Sequence, residues 1–208
     1  MNVHAKPSAA RATPALPSAK PDSIGLSPQR LQRMRDAFQR EIDKGTTPGV
    51  VSLLARRGQI GWLEAQGKQD PAGSAPMAAN SIFRIFSMTK PLVSLGIMML
   101  VEDGYLLLND PLAKYIPEFA NQKVAIERNG QLEYALPVRP ITIQDLLRHT
   151  SGISYEITGN GAVQRMYAKA KTFSRDITNE EHAKLIASMP LMCQPGTEWN
   201  YSRSTDIL

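Results

Sequence analysis

The sequence predicts a mixed α/β (α+β) fold in which one helix leads into an antiparallel β-hairpin and then a helical region. Three observations carry this reading. Leu31, Met34, Phe38 and Ile42 recur at helical spacing. Two runs rich in Val, Leu and Ile flank the turn dipeptide Arg57-Gly58. The stretch from Ser87 to Asp103 is long and apolar, with Gly104 to stop it.

The elements follow in order. Residues 1–22 are rich in Ala, Pro and Ser and lack the apolar core of a secretory signal, so they are predicted to form a disordered tail. Residues 23–208 are predicted to belong to a single domain. Ser27-Pro28 opens the first helix with a capping hydroxyl and a first-turn proline, and Gly45 closes it in a left-handed conformation. Gly49–Arg56 and Gln59–Ala65 are the hairpin strands. Residues 71–80 have loop composition, and Ser81–Arg84 reads as a short strand. The next helix begins close to Ser87, because Pro91 is tolerated only in a first turn. Its apolar face, Leu92, Leu95, Met99 and Leu100, predicts burial. Asp110-Pro111 again pairs a cap with a proline. Thr142–Asp145 and Thr178–Glu181 are capping-box patterns opening helices to Arg148 and to about Met189. Pro195-Gly196 is a turn, and Thr197–Tyr201 runs extended.

Composition excludes several classes. Net charge is +5 over 208 residues. The densest basic cluster, Arg30, Arg33, Arg35 and Arg40, is interleaved with Asp36, Glu41 and Asp43, which is a solvated helix face and not a nucleic-acid footprint. Leu92–Val101 is too short to span a bilayer, so no membrane partner is expected. Cys193 is the one cysteine, which excludes an intrachain disulfide and reads as a buried thiol. His4, His149 and His182 have no ligand spacing, so neither metal nor other cofactor is expected. The expected setting is cytoplasmic.

The chemistry centres on Ser87 and Lys90. A serine hydroxyl is a poor nucleophile until a base takes its proton. Residues three apart on a helix share a face, so Ser-x-x-Lys brings a hydroxyl and an amine together locally. A lysine anchored on a buried helix is a candidate for a depressed pKa. With fifteen serines and ten lysines the pattern is expected by chance about 0.7 times, so context must carry it. Here Ser87 follows a short apolar run and stands where a helix begins, a place that favours developing negative charge.

The run Ser81–Pro91 resembles the active-serine region of the class C β-lactamase-like, penicillin-recognising serine hydrolases. Glu102-Asp103-Gly104 with Leu108–Pro111, Ile141–Gly152, and Gln194–Thr197 with Tyr201-Ser202 resemble further signatures of that superfamily, in the same order. The likeness covers about residues 25–208 and is nearest to the β-lactamase-like carboxylesterases. It implies a β-lactamase/transpeptidase-like antiparallel sheet flanked by helices, and catalysis through an acyl-Ser87 intermediate with Lys90 and Tyr201 as general base and acid. The implied substrate is a small-molecule ester or amide, most simply a short acyl ester. β-Lactams or D-alanyl peptides are the alternative, and a non-catalytic remnant is a third. Tyr201-Ser202-Arg203 departs from the Tyr-x-Asn of β-lactamases, which favours the esterase branch. The superfamily's late third motif has no counterpart before Leu208, so the chain is expected to be an incomplete domain that lacks the closing strands. His149 stands at the end of a short helix with no Gly-x-Ser-x-Gly elbow in the sequence, and a structural role is expected of it. Position alone makes Met88 and Tyr155 candidates to line an acyl pocket.

Overall fold

The computed structural model describes residues 16–129, 131–174 and 176–208, and it divides into two units, one ending at Arg84 and one running from Ile85 to Leu208.

In the first unit, helix α1 spans Pro28–Asp43. The Ser27 hydroxyl accepts from the Arg30 N–H, as the cap pattern predicts. Gly45 follows at φ +73°, and its N–H donates to the Ile42 carbonyl. Strands β1 (Gly49–Arg56) and β2 (Gln59–Gly67) pair antiparallel. Arg57 and Gly58 both adopt positive φ, the mirror-image turn that matches strand twist. The register shifts between Leu54 and Ala55, where β2 carries the extra residue Gly61. A side chain there would collide with Ile24 and Leu26. Gln66 joins helix to strand by donating to the Arg35 carbonyl at 3.1 Å, and Arg35 pairs with Glu64 at 2.9 Å.

Of the expected tail, residues 1–15 lie outside the described residues, but Pro17–Ala19 are placed against the hairpin. Ser18 forms a parallel bridge with Ile60, whose N–H donates to Pro17 and whose carbonyl accepts from Ala19. Ser81–Arg84 forms no strand. The segment is irregular, with Ile82 fully exposed, because a strand exists only by pairing and β1 and β2 pair with each other.

In the second unit, a 3-10 turn over Phe86–Met88 leads into α2 (Thr89–Glu102), and Gly104 ends it at φ +76°. The helix therefore begins two residues after Ser87. Its expected burial is corrected: Leu92 and Leu95 are 60% and 59% exposed, and Ile97 and Val101 are the residues that meet the core. Apolar character on all sides of α2 hid which stripe would be used. Next come β3 (Val124–Arg128) and β4 (Gln131–Ala135), an antiparallel hairpin separate from the first. The backbone of Leu191 bridges to β3 through Lys123 and Ala125.

Helix α3 (Ile143–Arg148) and helix α5 (Asn179–Ala187) both open with complete capping boxes, Thr142 with Asp145 and Thr178 with Glu181, as predicted. Between them lies α4 (Ala162–Lys169), whose Tyr167 is fully buried. The core gathers Leu112, Ile143, Leu146, Ile153, Tyr167, Ile186 and Leu191. A 3-10 turn over Arg203–Asp206, capped by Ser202, closes the described chain.

Candidate active site

Ser87 lies in the middle of the 3-10 turn before α2, with an exposed side chain. Phe86, immediately before it, is held at φ +45°, a left-handed conformation that costs a non-glycine residue about 1–2 kcal/mol. Lys90 follows on the first turn of α2.

Lys90 and Tyr201 come from segments more than a hundred residues apart, and the fold brings them together. The Lys90 Nζ lies 5.2 Å from the centroid of the Tyr201 ring. It also donates to Asp206 Oδ1 at 3.3 Å, with Lys90 only 14% and Asp206 28% exposed. Among the described residues no hydrogen bond joins the Ser87 hydroxyl to either partner. The three residues named from sequence thus divide into an associated pair and a nucleophile candidate one turn away on the same chain segment.

The electrostatics correct one expectation. Burial pulls the Lys90 pKa down, but the Asp206 carboxylate and the hydrogen bond with the Tyr201 phenol outweigh it, and the pKa rises above its ordinary value. Lys90 is an ammonium. Asp206 was not singled out in the sequence reading. Its signal was its place in the Tyr201–Asp206 segment, one turn beyond the tyrosine.

Asp206 is itself anchored. Its Oδ2 accepts from Arg203 Nη1 at 3.3 Å, and Arg203 Nη2 donates to Glu156 Oε1 at 2.6 Å. The Arg203 guanidinium lies over the Tyr155 and Phe173 rings, at 4.5 and 4.9 Å from their centroids. Tyr155, in turn, is 6.0 Å from the Tyr201 ring, while Met88 is exposed.

His149 packs behind Tyr201, with ring centroids 4.8 Å apart. Burial, then the Lys90 charge, lower its pKa, so at neutral pH the imidazole is uncharged. Its position depends on the preceding segment. Asp145 accepts from Arg139 at 2.6 and 2.9 Å, from the Thr142 N–H at 2.9 Å and from the Thr150 hydroxyl at 3.0 Å. Gly152, at φ +84°, packs where a Cβ would collide with the Cys193 carbonyl. Cys193 is buried, and burial raises its thiol pKa. Among the described residues no group of three or more His, Cys, Asp or Glu side chains could hold a metal, and no helix is long and apolar enough to cross a membrane.

The family model described as Beta-lactamase matches residues 34–208. The chain is 34% identical over 194 residues to Esterase EstB of Burkholderia gladioli, a match covering 92% of this chain and 47% of EstB. It is 34% identical over 171 residues to Protein Rv1367c of Mycobacterium tuberculosis, covering 81% and 42%. Among solved structures, EstCE1, a hydrolase with promiscuous acyltransferase activity, superposes with TM-score 0.69 at 29% identity, over 85% of this chain and 44% of that one. Unliganded simvastatin synthase LovD from Aspergillus terreus shares the fold, with TM-score 0.67 at 23% identity, over 86% and 47%. The chain spans about half the length of the curated relatives it matches.

Proposed function

The chain belongs to the Beta-lactamase family, and from that premise we propose that it carries the acyl-transfer site of a serine hydrolase acting on short acyl esters. The observation that carries this is the Lys90–Tyr201 pair, set one turn after a serine in a strained, exposed turn. Ser87 Oγ attacks the ester carbonyl. Its proton passes to Tyr201, which takes part as the phenolate, its negative charge balanced by the Lys90 ammonium until the proton arrives. The C–O bond of the tetrahedral intermediate breaks, the alcohol leaves with the proton from Tyr201, and acyl-Ser87 remains. Water then attacks the acyl group by the same route in reverse, releasing the acid and free Ser87. Lys90 acts throughout as a fixed charge. The resemblance to EstB and to EstCE1 supports the esterase reading.

The second position after Tyr201 supports the same branch. Arg203 stands where an asparagine amide would hold a substrate amide, and its guanidinium is buried in the ion pair with Glu156 and packed against two rings. The substrate is a small molecule, an ester before an amide.

The test is covalent labelling with a fluorophosphonate, alongside turnover of a nitrophenyl acetate and a chromogenic cephalosporin. Labelling at Ser87, lost in Ser87→Ala, with acetate turned over in preference to cephalosporin, is the expected result. Labelling that survives Ser87→Ala would remove the nucleophile assignment. Preferential cephalosporin turnover would move the chain to the β-lactam branch.

A further inference from the structure

His149 meets the Asn200–Ser202 segment in three ways at once. Its backbone carbonyl accepts the N–H of Asn200 at 2.9 Å, and its Nδ1 accepts the N–H of Ser202 at 3.2 Å. The residues on either side of Tyr201 are therefore both tied to this histidine. The imidazole then lies against the Tyr201 ring itself, centroids 4.8 Å apart. Trp199 meets the same imidazole edge-on at 6.3 Å.

The tautomer follows from the hydrogen bonds. Because Nδ1 accepts from a backbone N–H, the neutral ring carries its proton on Nε2. Behind Nδ1 runs a buried chain of hydroxyls. Ser202 Oγ lies 3.4 Å from Nδ1 and 2.6 Å from Ser204 Oγ, which lies 2.8 Å from Ser151 Oγ. Ser151 Oγ accepts the Ile153 N–H at 3.0 Å, which anchors the chain to the segment that carries His149. All three serines are fully buried, so the chain is held without competition from water. His149 also takes the left-handed conformation, at φ +57°.

We propose that His149 is the positioning residue of the site: it clamps the backbone on both sides of Tyr201 and backs the ring, so that the phenol stays on Lys90. This goes beyond the structural role expected of a helix-ending histidine, and its catalytic meaning rests on the reading of Tyr201 given above. The clamp has a consequence in acid. Protonation puts a hydrogen on Nδ1, where it faces the Ser202 N–H, and the bond is lost. The charged groups bearing on the imidazole are Lys90, which resists that protonation, and Asp206, which favours it. The Tyr201 and Trp199 rings pack against it.

The experiment follows contacts between Lys90 and the Tyr201 ring by nuclear Overhauser effect in the 208-residue chain with isotope-labelled lysine and tyrosine. In the wild type those contacts are expected to weaken, and the Tyr201 ring signals to move, with the midpoint of the His149 titration itself, below its ordinary 6.5. His149→Asn keeps an acceptor in place of Nδ1 and cannot titrate, so its contacts should persist through that range. His149→Phe keeps a ring and loses the acceptor, so its contacts should be lost even at neutral pH. Fluorophosphonate labelling of Ser87 should then slow on the order of 10²-fold in His149→Phe, the scale of an ångström misplacement, and recover in His149→Asn. Tyr201 signals that pass unchanged through the His149 titration would overturn the proposal, as would intact Lys90–Tyr201 contacts in His149→Phe. The wild-type titration decides the matter if that variant does not fold. The contact readout needs no turnover, so a Ser87 that takes no label would count against the acyl-transfer reading and leave the clamp standing or falling on the contacts alone.

Discussion

At the scale of single residues, Lys90 shows how a neighbour can reverse a solvation argument. Partial burial alone would depress an ammonium, but the Asp206 carboxylate at 3.3 Å overrides it. Asp206→Asn removes that charge and is expected to lower the Lys90 pKa, read as an earlier midpoint of the lysine side-chain resonances. An unchanged midpoint would mean that the pair does not govern Lys90. The sign for stability follows from the raised pKa. The pair's contribution is fully present below the ordinary 10.5 and is lost as pH rises through the higher folded value. Urea unfolding across that alkaline range should show a steeper loss in the wild type than in Asp206→Asn.

At the scale of elements, α3 matters because His149 caps its C-terminal end. Its start is held by Asp145, whose carboxylate serves Thr142, Thr150 and Arg139 together. Burial raises the Asp145 pKa, but the Arg139 guanidinium and the Thr142 and Thr150 donors win and hold it at about 2. That contribution is present above the ordinary 3.8 and is lost as pH falls through about 2. Thr142→Ala removes one cap and should cost about 1 kcal/mol by denaturant titration. Asp145→Ala leaves two threonines without their acceptor, while the half-exposed Arg139 keeps part of its hydration, and should cost roughly 2–3 kcal/mol. Equal costs for the two would show that the ion pair adds nothing beyond the cap. Both capping boxes were legible in sequence because their partners are three residues apart. The β3–β4 hairpin was missed although Asn129-Gly130, between alternating runs, is a strong hairpin signal. Helix α4 was missed because its apolar positions, Val163, Met166 and Tyr167, are few over only eight residues.

At the scale of the whole molecule, the most consequential feature is α2. It places Lys90 at the site with its first turn, yet turns Leu92, Leu95 and Met99 outward while Ile97 and Val101 pack on the core. A contiguous exposed apolar face of this kind promotes association. Leu92→Glu with Leu95→Glu is therefore expected to reduce binding of a hydrophobic dye and concentration-dependent light scattering. The denaturation midpoint should change little, because neither side chain is buried. A large fall in that midpoint would show that this face is covered in solution.

By itself the sequence determined the features whose causes lie within a few residues. These are the α1 and α3 caps, the β1–β2 turn at Arg57-Gly58, and the glycine stop at Gly104. Ordered motifs along the chain also made the family legible. The tertiary structure decided what depends on residues far apart in the chain: that Asp206 raises the Lys90 pKa, that the outward stripe of α2 is the more apolar one, and that His149 lies against Tyr201. The physical reason is the same in each case. Local backbone chemistry is set by steric and hydrogen-bonding choices over one turn, whereas a charge, a packed face or a ring contact is set by whatever the chain brings within a few ångströms.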